Sequence, residues 1–381
     1  MRRIARGAVG CALLSILLGG CAGPAPAGYR LSPEGRAADL LDGAAFGVAA
    51  DDQVADVELL RVNEDMRQFL AAHVSPGLSD QQKVRRILGA ILSDGLKLSY
   101  DSFKTLTAEE AFYVREGNCM SFTNLFVALA READIKVYYQ EVEVPPSWEA
   151  QGNTWLYNKH LNAVVDLPGT SMMVDFAVDV VETDHRRQLI SDEEAQARYH
   201  NNMGVHYMTQ SDLDEAFRHF RHALTLEPRI GYFWTNLGTL YRRKGLLDAA
   251  EESYLIAVDL TADPAAMSNL ARLYRQRGPE ELAQWYEAKV QVFRRKNPYY
   301  VYGIAQRAYE AGDYETAARE VRIAINRRHG EPAFHHLLGM SFLRLGKLDA
   351  AEEQISLAAE FTENERERAT YNRKLELLAK R

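Results

Sequence analysis

Between residues 197 and 378 apolar side chains return every three or four positions with almost no break, the spacing of helices that bury one face. A longer period of about 34 residues lies over it. Small residues stand at Gly204, Gly238, Ala271, Ala305 and Gly339, and again twelve positions later at Ala216, Ala250, Ala283, Ala317 and Ala351. Ser211, Gly245, Gly278, Gly312 and Gly346 fall between the two sets, and Pro228, Pro264, Pro298 and Pro332 stand at the unit boundaries. The pattern predicts about five helical hairpins over 195–361, stacked so that the small residues let helices approach and the units share one continuous core. In the third unit Glu287 takes the place held by Phe220, Tyr254, Val321 and Ile355 elsewhere, which predicts a shifted second helix there. The charged stretch 362–381 keeps helical spacing at Tyr371, Leu375 and Leu378 and reads as a capping helix.

The upstream half has a different texture. Helical spacing runs over 54–72 and 79–93, with Ser79 and Asp80 placed to cap the second helix, and a third helix starts near Thr107. Gly117-Asn118-Cys119 reads as a turn into a helix whose apolar face is Phe122, Leu125, Phe126 and Leu129. Strand-type runs follow at 136–144, 160–165 and 172–176, the last two joined by the turn signal Leu167-Pro168-Gly169-Thr170. The expected unit, over 51–190, is a central helix followed by an antiparallel sheet.

Composition and charge narrow the classes. With 47% hydrophobic residues among 381, the chain can bury substantial cores. Arg2, Arg3 and Arg6 precede an apolar run over 8–18 and then Leu18-Gly19-Gly20-Cys21, the layout of a secretory leader too short to span a bilayer. The tetrapeptide resembles the lipobox of bacterial lipoproteins. That resemblance implies cleavage after residue 20, diacylglycerol on the thiol of Cys21 and, from Ala22, an outer-membrane destination with the chain facing the periplasm. Residues 21–50 then read as a tether, its first part a Pro/Gly/Ala stretch over 22–28. Without residues 1–20 the charge moves from −8 to −11, 42 bases against 53 acids, which argues against nonspecific nucleic-acid binding. Of three cysteines, Cys11 leaves with the leader and Cys21 carries lipid, so Cys119 is the remaining thiol.

The residues around that thiol carry a second resemblance. Tyr113-Val-Arg-Glu-Gly117-Asn118-Cys119, then Asn158-Lys-His160-Leu-Asn-Ala-Val, then Val174-Asp175-Phe176 resemble the transglutaminase-like superfamily over 79–180. The resemblance implies an α+β, papain-like domain with Cys119 as nucleophile, His160 as the base that holds it as thiolate, and Asp175 as the acid that orients the imidazole. Those types suit the chemistry, because the thiolate is the attacking species and a buried carboxylate fixes the histidine tautomer. Asp166 and Asp179 are rival acids. An oxyanion would be met by the backbone N–H of Cys119 and a further donor, with Asn118 and Tyr100 as candidates.

The downstream units resemble the tetratricopeptide repeat, with Tyr207, Tyr241, Tyr274 and Phe342 at its aromatic position. This implies an all-α solenoid whose first helices line a concave surface bearing Asn201, Tyr232, Arg242, Arg272, Arg275, Tyr299, Tyr302 and Gln306. Such a groove suits an acidic or C-terminal peptide. His219 and His222, three apart, make a poor zinc site without further ligands and read as a solvated face. No phosphate loop, zincin motif or nucleophile elbow is present, and neither metal nor cofactor is expected.

The expectation is a lipid-anchored, periplasm-facing thiol amidohydrolase or protease working through acyl-Cys119, its repeats recruiting protein or peptide. The alternative is a non-catalytic outer-membrane assembly adaptor with a degenerate Cys-His-Asp domain.

Overall fold

The computed structural model describes residues 33–55, 57–142, 148–151, 154–157, 160–176, 187–278, 280–362 and 364–379. The leader, Cys21 and the 22–28 stretch lie outside the described residues, as does Asp179. Among those described, no helix is long and apolar enough to cross a membrane.

The upstream unit is part helix, part strand. Its helices are α2 (Glu64–His73), α3 (Asp80–Gly89), α4 (Ala108–Val114) and α5 (Cys119–Glu132), with α1 (Pro33–Leu40) preceding them. Capping decides where they start: Ser79 with Gln82, and Thr107 with Glu110, form reciprocal capping boxes that satisfy free N–H groups. The helix expected over 54–72 begins ten residues late, at Glu64, because Asn63 accepts a hydrogen bond from the Met66 N–H at 3.0 Å.

The strands are β1 (Ser99–Tyr100), β2 (Glu116–Gly117), β3 (Val137–Val142), β4 (Trp148–Gln151), β5 (Thr154–Tyr157), β6 (His160–Leu167), β7 (Thr170–Val174) and β8 (Arg187–Ile190). The main sheet has the order β7-β6-β3-β8 and is antiparallel throughout. Helix α5, buried from Met120 to Ala130, packs on it with Tyr139, Leu161, Ala163, Val165 and Val174 in one core. The short β1–β2 pair is parallel and sets Tyr100 beside Gly117.

The downstream part is a solenoid of helices α6 (Asp192–Thr209), α7 (Leu213–Leu226), α8 (Gly231–Arg243), α9 (Leu247–Thr261), α10 (Pro264–Arg277), α11 (Glu280–Arg294), α12 (Pro298–Glu310), α13 (Tyr314–Arg327), α14 (Pro332–Arg344), α15 (Leu348–Phe361) and α16 (Glu365–Ala379). All five turn residues, Ser211, Gly245, Gly278, Gly312 and Gly346, have positive φ, which is why four of them are glycine. The small-residue positions are close approaches as well: a Cβ on Gly238 would stand 2.7 Å from the Tyr254 ring. Pro264, Pro298 and Pro332 each open a helix.

Four expectations are corrected. The solenoid core is not continuous: one apolar body runs from α6 to α11, and another starts at Val301 in α12. In α11 Tyr286 is the buried residue, stacked on Tyr274 at 5.8 Å, while Glu287 turns out to pair with Arg275 at 3.3 Å. Ala283 and Val290 nevertheless keep the buried places that Ala216 and Ala223 hold in the first unit, so the helix stays in register and the expected shift does not occur.

The boundary near residue 195 is not a boundary in the core. Ala195 and Tyr199 of α6 pack with the sheet and α5, whereas Ala197 and Met208 of the same helix pack with the solenoid. Finally, residues 37–50 are no tether. Leu40, Phe46 and Val48 are buried in the solenoid core, Phe46 stacks on Phe217 at 4.6 Å, and Tyr241 donates to the Leu40 carbonyl at 2.6 Å. Arg221 donates to the carbonyls of Ala49 and Asp52, and Arg218 pairs with Asp52.

Candidate active site

Cys119 is the first residue of α5, where unpaired backbone N–H groups favour negative charge. The turn that delivers it is held by side chains. Asn118 caps α5 by accepting from the Ser121 N–H at 3.1 Å, and its amide donates to Thr105 Oγ1 at 2.7 Å. Ser121 Oγ donates to the Lys104 carbonyl at 2.9 Å and accepts from the Leu106 N–H at 2.8 Å. Gly117 permits this approach, since a Cβ there would lie 2.6 Å from that of Ser121. Cys119 itself is half-buried and in no disulfide.

His160 opens β6 opposite Val142 of β3. Asp175 follows β7 by one residue, just beyond the Ala163 and Val174 pair. The two-residue turn at Pro168 and Gly169 sets this register, which puts His160, Asn162 and Asp175 on one face of the hairpin. His160 Nε2 lies 2.7 Å from both carboxylate oxygens of Asp175, with both side chains under a tenth exposed. His160 also hydrogen-bonds Cys119. With Nε2 committed to the carboxylate, Nδ1 is the nitrogen left for the thiol.

Burial works against a charged His160 ring, but the hydrogen bonds to Asp175 and Cys119 and the charges they carry outweigh it. The result is a pKa raised to about 9. At neutral pH this is an imidazolium between two anion-forming groups.

The structure thus brings Cys119, His160 and Asp175 together. The rival Asp166 sits at the far end of the hairpin opposite Ser171, paired with Lys136 at 2.7 Å. Asn118 is occupied as cap and strut, which is a different task from donating to an oxyanion. Tyr100 is 58% exposed and packs edge-on against Phe122, with ring centroids 6.4 Å apart, rather than lying on the main sheet.

Two features were missed in the sequence. Asn162 donates to Asp175 Oδ2 at 2.9 Å; its signal was parity, two residues beyond His160 in an otherwise apolar strand. Arg198 of α6 pairs with Glu141 of β3 at 2.7 Å and, with Asn202 against the Met120 sulfur, ties the first solenoid helix to the site's scaffold.

The groove residues do not form one surface. Asn201 is buried and accepts from Asn236 at 2.8 Å, and Tyr232 is packed near Arg198 and Glu141. Arg242 and Arg272 converge on Tyr254, and Arg242 Nε is buried with no acceptor among the described residues. Arg275 is engaged by Glu287. Tyr299 donates to Glu331 at 2.9 Å and packs with Tyr302 around Phe334, with Gln306 hydrogen-bonded to Tyr302.

His219 is not on a solvated face: it is 5% exposed and meets His200, which is fully buried, at 3.0 Å between Nδ1 atoms. The His222 ring lies 4.2 Å from that of His200. Among the described residues no group of three or more His, Cys, Asp or Glu is arranged to hold a metal ion.

A family model described as tetratricopeptide repeat matches residues 201–266 and 302–365, so the C-terminal part of the chain carries tetratricopeptide repeats. The stretch between the two matches holds most of the third unit, and both lie outside 51–190. No curated protein matches the chain. Among solved structures it is similar to YrrB, a TPR protein with an unusual peptide-binding site, at 14% identity over 48% of this chain and 94% of that one, TM-score 0.26. PilF of Pseudomonas aeruginosa is 13% identical over 50% of this chain and 89% of its own, TM-score 0.27. A chain of the APC/C hetero-tetramer Cut9-Hcn1 is 20% identical over 48% of this chain, TM-score 0.25, and only 36% of its own length is spanned.

Proposed function

We propose that the chain is a thiol amidohydrolase of transglutaminase-like type, with tetratricopeptide repeats that recruit a protein or peptide substrate. The observation that carries this is His160, bonded through one ring nitrogen to a buried carboxylate and hydrogen-bonded to the Cys119 thiol. In the reaction Cys119 Sγ attacks the amide carbonyl carbon, a C–S bond forms, and the oxyanion meets the N–H groups at the start of α5. His160 then gives its proton to the departing amine as the C–N bond breaks. Water attacks the thioester, yields its proton to His160, and the acid leaves with the thiol restored.

The repeats suggest protein or peptide binding, and Arg242 and Arg272, both near Tyr254, suit an acidic segment. The decisive experiment is the pH dependence of iodoacetamide alkylation of protein lacking residues 1–21, in wild type and His160→Ala. Rapid labelling of Cys119 below pH 7, lost in the variant, is the expected result. Slow labelling insensitive to His160 would leave the adaptor reading, whose sensitive positions are Arg242 and Arg272.

The pattern of residues 1–22 supports an outer-membrane lipoprotein facing the periplasm. Full-length protein expressed in a Gram-negative host is then expected to incorporate labelled palmitate, and Cys21→Ala to abolish the label. An unlabelled wild type would remove the anchor from the reading.

A further inference from the structure

Asn162 stands where the fold has least use for it. It lies on β6 with β3 on one side and β7 on the other, opposite Gln140, and is fully buried. Its neighbours Leu161, Ala163 and Val165 are the apolar residues such a strand calls for. Its Oδ1 has no hydrogen-bond partner among the described residues, and an orphaned buried acceptor destabilises the fold. Among the described residues the one contact that orients the amide is Nδ2 to Asp175 Oδ2 at 2.9 Å. That contact also settles which end of the amide is which, because a carboxylate cannot accept from the carbonyl end. A residue that costs the fold and serves a single carboxylate is retained for that carboxylate.

Asp175 needs such a partner. It lies beyond the last paired residue of β7, so the strand ladder does not hold it, and its side chain is only 8% exposed. A buried carboxylate keeps its charge only if donors satisfy its oxygens. We propose that Asn162 is a positioning residue, whose amide holds the Asp175 carboxylate ionised and aimed at His160 Nε2, and through it sets the state of Cys119. This rests on the thiol-enzyme reading for its consequence at Cys119, but not for its effect on His160.

The test follows His160 directly, by NMR titration of ring-labelled histidine, with the His160 resonance identified by its loss in His160→Ala. Wild type is compared with Asn162→Leu, close in shape without donor or acceptor, and with Asn162→Ala in case the larger side chain does not pack. Both variants are expected to fold, Asn162→Leu with an unchanged or higher thermal midpoint, and both to lower the His160 inflection by at least one pH unit. Cys119 alkylation at pH 7 then falls by about tenfold. A merely structural asparagine predicts the opposite pair, a lower midpoint with an unmoved inflection, and that result would overturn the proposal. If the wild-type thiol is inert, the enzyme reading fails while the His160 titration still decides the role of Asn162.

Discussion

Asp175→Asn is expected to slow alkylation of Cys119 at pH 6.5 by roughly 100-fold while leaving the protein folded. The substitution keeps size and one acceptor at the carboxylate position, but it turns the other oxygen into a donor and removes the charge that His160 Nε2 meets at 2.7 Å from two oxygens. Burial opposes a charged His160, so once the carboxylate is neutral the ring's pKa falls from about 9 toward or below its ordinary 6.5. A drop of two units is roughly 2.7 kcal/mol less stabilisation of the imidazolium. The raised folded value has a stability consequence of definite sign. His160 contributes to stability fully below pH 6.5, and the contribution is lost as pH rises through about 9. Denaturant midpoints at pH 6 and pH 9.5 should therefore differ more in wild type than in Asp175→Asn. Equal alkylation rates in the two proteins would show that the His160–Asp175 pair does not govern the thiol.

The second large effect lies at α6 and α7, in acid. Burial, then the neighbouring His222, then His219 lower His200 to about 3; burial, then His222 and His206, lower His219 to about 4. Both folded values lie below 6.5, so the unfolded chain takes up protons first. The stability present above pH 6.5 is lost progressively as pH falls toward 3–4. Around the pair stand Tyr199 against His200, Tyr207 stacked on His219, and Glu215, whose Oε1 is 3.7 Å from His219 Nε2. That carboxylate offsets part of the penalty. A loss of about 3 kcal/mol between pH 7.5 and pH 4.5 is expected in urea unfolding followed by helical circular dichroism. His200→Leu combined with His219→Phe should remove most of that dependence. An undiminished acid slope in the double variant would assign it to other groups. Because α6 belongs to both cores, the same acid step should loosen the sheet and the first repeat together.

The candidate site was legible because its parts are announced locally. A glycine and a polar cap before a helix, a histidine opening a strand, and an acid after a two-residue turn are short-range signals, and parity alone places His160 and Asp175 on one face. Asn162 obeys the same parity, but a lone asparagine in a strand gains meaning only when its burial and the orphaned oxygen are seen. His219 was misread because three-residue spacing along α7 says nothing of what faces it; His200 arrives from another helix. The groove divided for a related reason. Asn201 and Tyr232 lie on first helices that the resemblance places along a groove, but α6 and α8 abut the sheet unit through Arg198 and Glu141.

By itself the sequence determined the repeat period, the five turn positions, the close approaches at Gly204, Gly238 and Gly339, and the helix starts at Ser79, Thr107 and Asn118. Each depends on the conformational limits of one residue or on contacts within a hairpin, so neighbours along the chain suffice. The tertiary structure alone decided that α6 serves two cores, that residues 37–50 dock on the solenoid, and that the solenoid core breaks between α11 and α12. Leu40, Phe46 and Val48 follow neither helical nor strand spacing, and the break after α11 changes no period. Such burial is set by partners far away in sequence, and only the folded chain brings them together.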